Sequence, residues 1–458
     1  MQPANTLFLR QLPCFLVIAA ALHASACGSE EPDDQPQEAL AAALADPLAV
    51  ESEVRSIALR SAPEHLLEVR VRKLGVFAMA GSRPDFTAEF ESMEREWRPV
   101  EELSDGPSTA DARDTTVNWV GFRDVGEGRY EIELWQASSA ALARFGQAAQ
   151  DAGETQAFPG ALPITDEEGP YAPRSWSDGV DSRTRLAIAD GYTANHWPFR
   201  TIGRMLPGYG CTGTLIGRRT VLTAAHCVFN REAWSVNPGN FSPRRDPSGA
   251  PHGASNYSQG NGTTLWVPAG YIEEIDCDGF NCNAWDIAVV ELEDNLGDTV
   301  GGMGFGHVPV STLLTTKNRM RGYPSCSGAE GWAPTRPDND PERAGVQCTE
   351  SALYGDTKLC NIHGWPADTL NCWGDGYSCE LDITCDGSPG MSGSGAYTYD
   401  LPWANGNPVI FGVYSQYNCV PGGPGNSKDC TEPSENVLTR ITPTSGGWIS
   451  ALKSNNGG

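Results

Sequence analysis

The chain has 458 residues, 58 acidic against 32 basic side chains, and a net charge of −26 at pH 7. Such a charge repels phosphate backbones and anionic lipid surfaces, so nucleic-acid binding is disfavoured from the outset. The 40% hydrophobic content supports a large core, and the length implies two or three folding units.

At the start, Arg10 precedes an apolar run from Cys14 to Leu22 that is too short to span a bilayer as a helix and reads as an export signal. Ala24-Ser25-Ala26 forms a small-residue cleavage site, and Cys27 directly after it offers a lipid attachment point. Residues 1–26 are therefore expected to be a signal peptide and 27–45 an acidic, flexible tether. The mature protein is expected to be secreted or a cell-surface lipoprotein, held to the membrane only through a lipid on Cys27.

Residues 46–177 contain no cysteine. They mix a helical pattern, Met93 to Leu103, with a hairpin of Val117–Val125 and Arg129–Trp135 that turns at Gly126-Glu127-Gly128. This predicts a small α+β unit, a propeptide or N-terminal accessory domain. The Pro- and Gly-rich passage Phe158 to Pro173 reads as an exposed linker, which places the main domain at 178–458.

Apart from Cys14 and Cys27, every cysteine lies between Cys211 and Cys430, and their number is even. In an exported chain that favours disulfides over metal thiolates, so neither a metal nor a cofactor is expected, including at His363 between Cys360 and Cys372. Short strand patterns at Gly213–Ile216, Thr220–Leu222, Ile287–Leu292, Arg319–Tyr323 and Val409–Tyr414, separated by turn residues, predict an all-β domain. A short amphipathic helix, Gly447 to Lys453, closes the chain.

Three sequence blocks carry chemistry. Thr223-Ala224-Ala225-His226-Cys227 places a histidine beside small residues and a cysteine that can pair with Cys211 across a strand. Asp286 opens an apolar strand pattern, where a carboxylate is desolvated and can accept an imidazole N–H. Gly390-Met391-Ser392-Gly393-Ser394-Gly395 sets a serine in a glycine-dense turn that leaves the amides of Gly390 and Ser392 to converge on an oxyanion. A neutral serine needs a base, a group that orients the base, and oxyanion donors. Ser392, His226, Asp286, Gly390 and Ser392 again, through its amide, fill those roles. Ser394 is the competing nucleophile.

With these blocks in place, residues from Asp178 to Ser454 resemble the chymotrypsin-like serine proteases, and within them the bacterial glutamyl-endopeptidase branch. Supporting similarities are Asp181 to Arg185 near the expected mature start, Arg321-Gly322-Tyr323-Pro324, and Val437 to Trp448. The resemblance implies a double six-stranded β-barrel with the catalytic groups between the barrels, and a zymogen-like precursor. Met391 stands where digestive zymogens carry the aspartate that pairs with a new N-terminus, so that activation device is absent. Tyr414 stands where glutamyl-specific relatives carry a histidine. Asp386, Tyr414, Ser415 and Tyr417 are the candidates for the substrate pocket, and Cys385 is expected to pair with Cys419. The reading is a monomeric serine endopeptidase acting on protein or peptide substrates. The alternative is a catalytically silent binding module on the same fold.

Overall fold

The computed structural model describes residues 54–60, 66–79, 84–95, 115–160, 183–185, 196–206, 210–243, 253–273, 281–324, 353–356, 359–364, 373, 377–385, 387, 390–417 and 436–457. The signal, the Cys27 tether, the expected mature start at 178–181, Asp386 and Cys419 lie outside them. Among the described residues no helix is long and apolar enough to cross a membrane.

The N-terminal part contributes four antiparallel strands, β1 (Arg55–Arg60), β2 (Leu66–Ala78), β3 (Thr116–Gly126) and β4 (Arg129–Ser138). The expected β3–β4 hairpin is present, and Gly126, Glu127 and Gly128 at its tip all have positive φ. Such backbone suits glycine and explains why two of the three are glycines. The helix expected at Met93–Leu103 instead runs Phe86–Arg95, and 96–103 lie outside the described residues. Phe86, Phe90 and Met93 form its buried stripe at i, i+4 and i+7, and Asp85 caps it by accepting from the Ala88 amide. A second helix, Ser139–Asp151, is capped by Ser138, whose hydroxyl accepts from the Ala141 amide.

The later strands fall into two large sheets. Next in the chain come β5 (Arg183–Arg185), β6 (Ile202–Leu206), β7 (Cys211–Leu215) and β8 (Thr220–Thr223). A small two-stranded pair, β9 (Phe229–Asn230) and β10 (Ser235–Val236), precedes β11 (Gly239–Pro243), β12 (Ser255–Tyr257), β13 (Thr264–Pro268) and β14 (Ala288–Glu291). Among the described residues the first sheet has 11 strands in the order β1-β2-β4-β3-β13-β14-β8-β7-β6-β11-β12. The N-terminal unit is thus joined to it directly: β3 pairs antiparallel with β13, from Thr264 opposite Arg123 to Pro268 opposite Trp119. The expected all-β architecture is present; the first sheet joins seven later strands to the four N-terminal ones, against the six per barrel that the resemblance implies.

Among the described residues the second sheet has nine strands. It takes in β15 (Gly304–Phe305), β16 (Asn318–Gly322), β17 (Tyr354–Asp356), β18 (Ile362–Gly364), β19 (Glu380–Ile383), β20 (Gly395–Thr398), β21 (Val409–Tyr417) and β22 (Asn436–Arg440), with β5 at one edge beside β17. The terminal helix, Pro443–Asn455, is longer than the sequence pattern indicated and is buried along most of its length. A Thr442–Ser445 capping box and Pro443 in the first turn start it.

Two expectations are corrected here. The linker expected from Phe158 does not begin there: Phe158 exchanges two backbone hydrogen bonds with Gly302, at 2.9 and 2.8 Å. The buried Arg200 guanidinium also donates to the Pro159 carbonyl. Cys385 pairs with Cys360 and not with Cys419. The antiparallel register of β18 against β19, Ile362 opposite Ile383, brings the two flanking cysteines to a Cα separation of 4.8 Å.

Candidate active site

His226 lies in a single helical turn, Ala225–Val228, directly after β8. Ala224 and Ala225 are fully buried, so larger residues there would push the turn off the sheet. The expected Cys211–Cys227 disulfide is formed, with a Cα separation of 5.9 Å, and ties this turn to the start of β7.

Asp286 sits just ahead of β14, at the end of the 3-10 turn Asn281–Trp285, and is 3% exposed. Both of its oxygens face His226. Oδ2 accepts from the ring Nδ1 at 2.6 Å and Oδ1 accepts from the His226 backbone amide at 2.9 Å. This two-point contact fixes the Nδ1–H tautomer and leaves Nε2 as the open acceptor. The ring remains accessible, its side chain 38% exposed.

The pair also shifts both ionisations. Burial works against charge on the His226 ring, but the Asp286 carboxylate outweighs it and raises the imidazole pKa above its ordinary value. Burial likewise opposes the Asp286 charge. The facing His226, and hydrogen bonds from its ring, its amide and Ser415, overcome that and hold the carboxyl below the usual range.

Ser415, a pocket candidate on sequence, has its hydroxyl turned to the Asp286 carboxylate and to Asn283 Oδ1. It is 2% exposed. With a single proton, its hydroxyl makes its stronger bond to the ionised acceptor, so the residue orients the acid. Thr439 adds a bond from its hydroxyl to the Asp286 carbonyl at 3.1 Å.

The serine turn follows from two glycines. Gly390 and Gly393 have φ of 90° and 86°, which side-chain-bearing residues rarely adopt. Thr212, next to Cys211, anchors this turn at two points: its amide donates to the Ser392 carbonyl at 2.8 Å and its hydroxyl to the Gly390 carbonyl at 3.0 Å. From the second sheet, the Gly393 amide donates to the Tyr414 carbonyl, and the Tyr414 amide to the Ser394 carbonyl, both at 2.8 Å. The turn is thereby stitched to both sheets.

Among the described residues, the amides of Gly390 and Ser392 donate to no protein acceptor, leaving them open to an oxyanion. Ser392 is half-buried, whereas Ser394 is fully buried, with its hydroxyl against Gly322. That burial removes Ser394 from competition for an external substrate.

Cys227 Sγ links the two halves of the site, lying 3.8 Å from His226 Nε2 and 3.6 Å from the Ser392 carbonyl oxygen. No hydrogen bond joins Ser392 Oγ to His226 Nε2 among the described residues. Such contacts are commonly long without substrate and tighten in the complex. The sulfurs of Cys211 and Cys227 and the nitrogens of His226 are close enough to hold a metal ion. Because the sulfurs are bonded to each other, they offer no thiolate to a metal.

Of the remaining pocket candidates, Tyr414 has a described side chain, and it is engaged elsewhere. The Tyr414 ring is 1% exposed, and its hydroxyl donates to Asn436 Oδ1 at 3.3 Å while Asn436 donates to the Cys385 carbonyl. A side chain at Gly387 would collide with that hydroxyl. Tyr417 ends β21, with its side chain outside the described residues, as is Asp386. Met391 is fully buried. Sequence reasoning missed Thr212, Asn283 and Thr439. Their only signal is a small polar residue within or next to an apolar strand pattern.

Gly393→Ala is expected to cost about 2–4 kcal/mol, from left-handed backbone strain plus collision of the new Cβ with the Thr212 carbonyl and Thr223 hydroxyl. A denaturant midpoint measures it. An unchanged midpoint would mean that the turn relaxes freely.

Residues 189–324 match the trypsin family profile, a span that covers His226 and Asp286 and ends before Ser392. A glutamyl endopeptidase of Bacillus licheniformis is 28% identical over 228 residues, 49% of this chain and 65% of that protein. A protein of Bacillus subtilis named extracellular metalloprotease is 29% identical over 168 residues, 35% of this chain and 48% of that one. The chain thus spans between about half and two thirds of these curated relatives. Among solved structures, a Glu endopeptidase in complex with MPD superposes with a TM-score of 0.40 at 23% identity, covering 60% of this chain and 98% of that one.

Proposed function

We propose, from the premise that this chain is a chymotrypsin-like serine protease related to the glutamyl endopeptidases, that it hydrolyses peptide bonds in proteins through an acyl-enzyme on Ser392. The observation that carries this reading is the two-point contact of Asp286 with His226, at 2.6 and 2.9 Å, on an accessible imidazole beside the glycine-framed serine turn. Ser392 Oγ attacks the scissile carbonyl carbon as its proton passes to His226 Nε2. Asp286 stabilises the imidazolium, and the amides of Gly390 and Ser392 bind the oxyanion. His226 then gives the proton to the leaving amine, and a water repeats the sequence to release the acid. No metal or cofactor has a part in these steps.

Acidic preference at the cleaved bond is not carried over from the relative's name, because Tyr414 is buried and tied to Asn436. Export belongs to the same proposal, supported by the disulfides and by the extracellular relative. So do action as a monomer and attachment through a lipid on Cys27.

The test is to treat purified protein with a fluorophosphonate and a peptide library, then map label and cleavage by mass spectrometry. Label on Ser392 with cleavage suppressed in proportion supports the reading. Label on Ser394, or full cleavage with no label, overturns it. Neither label nor cleavage would favour the silent binding module.

A further inference from the structure

The N-terminal unit is expected, on sequence, to end in a free linker, yet the structure joins it to the protease body through β3, the helix Ser139–Asp151 and residues 154–159. Its strand β3 forms a five-residue register with β13 in the middle of the first sheet. The Asp124 carboxylate, 2% exposed, accepts from the amides of Gly126 and Gly260, and so joins the hairpin to the loop before β13.

The helix Ser139–Asp151 crosses the terminal helix with glycine against glycine. A Cβ on Gly447 would collide with the Leu142 carbonyl, and one on Gly146 would meet the Gly447 amide. Beyond the helix, the Thr155 carbonyl accepts from Phe305, Phe158 bridges Gly302, and Lys453 donates to the Glu154 carbonyl at 2.6 Å.

Aromatic side chains cross this boundary into one core. Trp119 meets Trp448 at 6.4 Å, Trp135 meets Trp266 at 6.3 Å, and Phe122 stacks on Phe229 at 5.1 Å. All six are at most 2% exposed. Taking the unit away would bare these rings and the backbone edge of β13, a surface that aggregates in water.

An inhibitory segment has the opposite placement, across the catalytic groups. Here, among the described residues, the hydrogen-bond partners of His226, Asp286 and the Ser392 turn come from residue 212 onward, and the imidazole stays accessible.

We infer that residues 54–160 are a permanent subunit of the folded enzyme: the edge of β13 and the glycine face of the terminal helix are an interaction surface whose partner is this N-terminal unit. The unit stays bound after the chain between 161 and 182 is cut.

The test uses the full chain with a site-specific protease sequence placed between 161 and 182, cut after folding and passed over size exclusion and native mass spectrometry. Co-elution of the two fragments as one species with a single thermal transition is expected. Separation overturns the inference, whether the larger fragment then stays folded or aggregates. Gly146→Leu in the cut protein is expected to weaken association by about ten-fold or more, and unchanged association would overturn the assigned helix contact. Association, not hydrolysis, is read, so failure here leaves the protease proposal standing.

Discussion

Ser392→Ala is expected to lower kcat on the order of a millionfold, because nucleophile and base act as a unit. Its stability should change little, since the half-buried hydroxyl makes no hydrogen bond among the described residues. The same interdependence gives a second reading: adding His226→Ala to Ser392→Ala should cost almost nothing further. Steady-state kinetics on a peptide found in the library screen, beside a denaturant melt, checks both. Activity within about ten-fold of the parent would remove Ser392 from the mechanism.

Asp286→Asn should lower kcat by about ten-thousand-fold, in line with loss of an orienting carboxylate. An amide facing Nδ1 donates where the carboxylate accepts, so the ring proton moves to Nε2, the atom that must receive the serine proton. The pH profile adds a signature that general loosening would not give. In the parent, His226 must be neutral to act as a base, and its raised pKa sets the acid limb of kcat/KM above the ordinary histidine value of about 6.5. Removing the negative charge takes away the main raising influence, so residual activity should survive to lower pH. A limb that stays in place would mean that another group governs it.

The candidate catalytic blocks stand out in the sequence because each is local and each residue type suits the proposed chemistry. Ala-Ala-His-Cys gives close packing and a clamp, and glycines flank a serine where φ must be positive. The β3–β4 hairpin is legible for the same reason, its tip needing Gly126 and Gly128. The joining of β3 to β13 is not: backbone hydrogen bonds between strands far apart in the chain leave no side-chain signature. The Ser139–Asp151 helix could have been found, since Leu142, Phe145, Gly146 and Ala149 follow a helical period behind the Ser138 cap. The proline at 99 argues against the pattern drawn through Met93–Leu103. The position of Ser415 on the flanking strand suggests a place near the substrate. Strand alternation cannot say which neighbour its hydroxyl will meet, and here that neighbour is Asp286.

Thr212 touches Ser392 and Gly390 with its amide and hydroxyl, accepts from Tyr323 at that same hydroxyl, and accepts from Thr223 at its carbonyl. One residue of the first sheet thus serves as a mechanical reference for the proposed nucleophile of the second. Any sliding of one sheet over the other must break these bonds together, which holds the Ser392 turn in one position. In exchange with heavy water, the Thr212 amide should be among the last to surrender its proton, doing so only when the whole molecule opens.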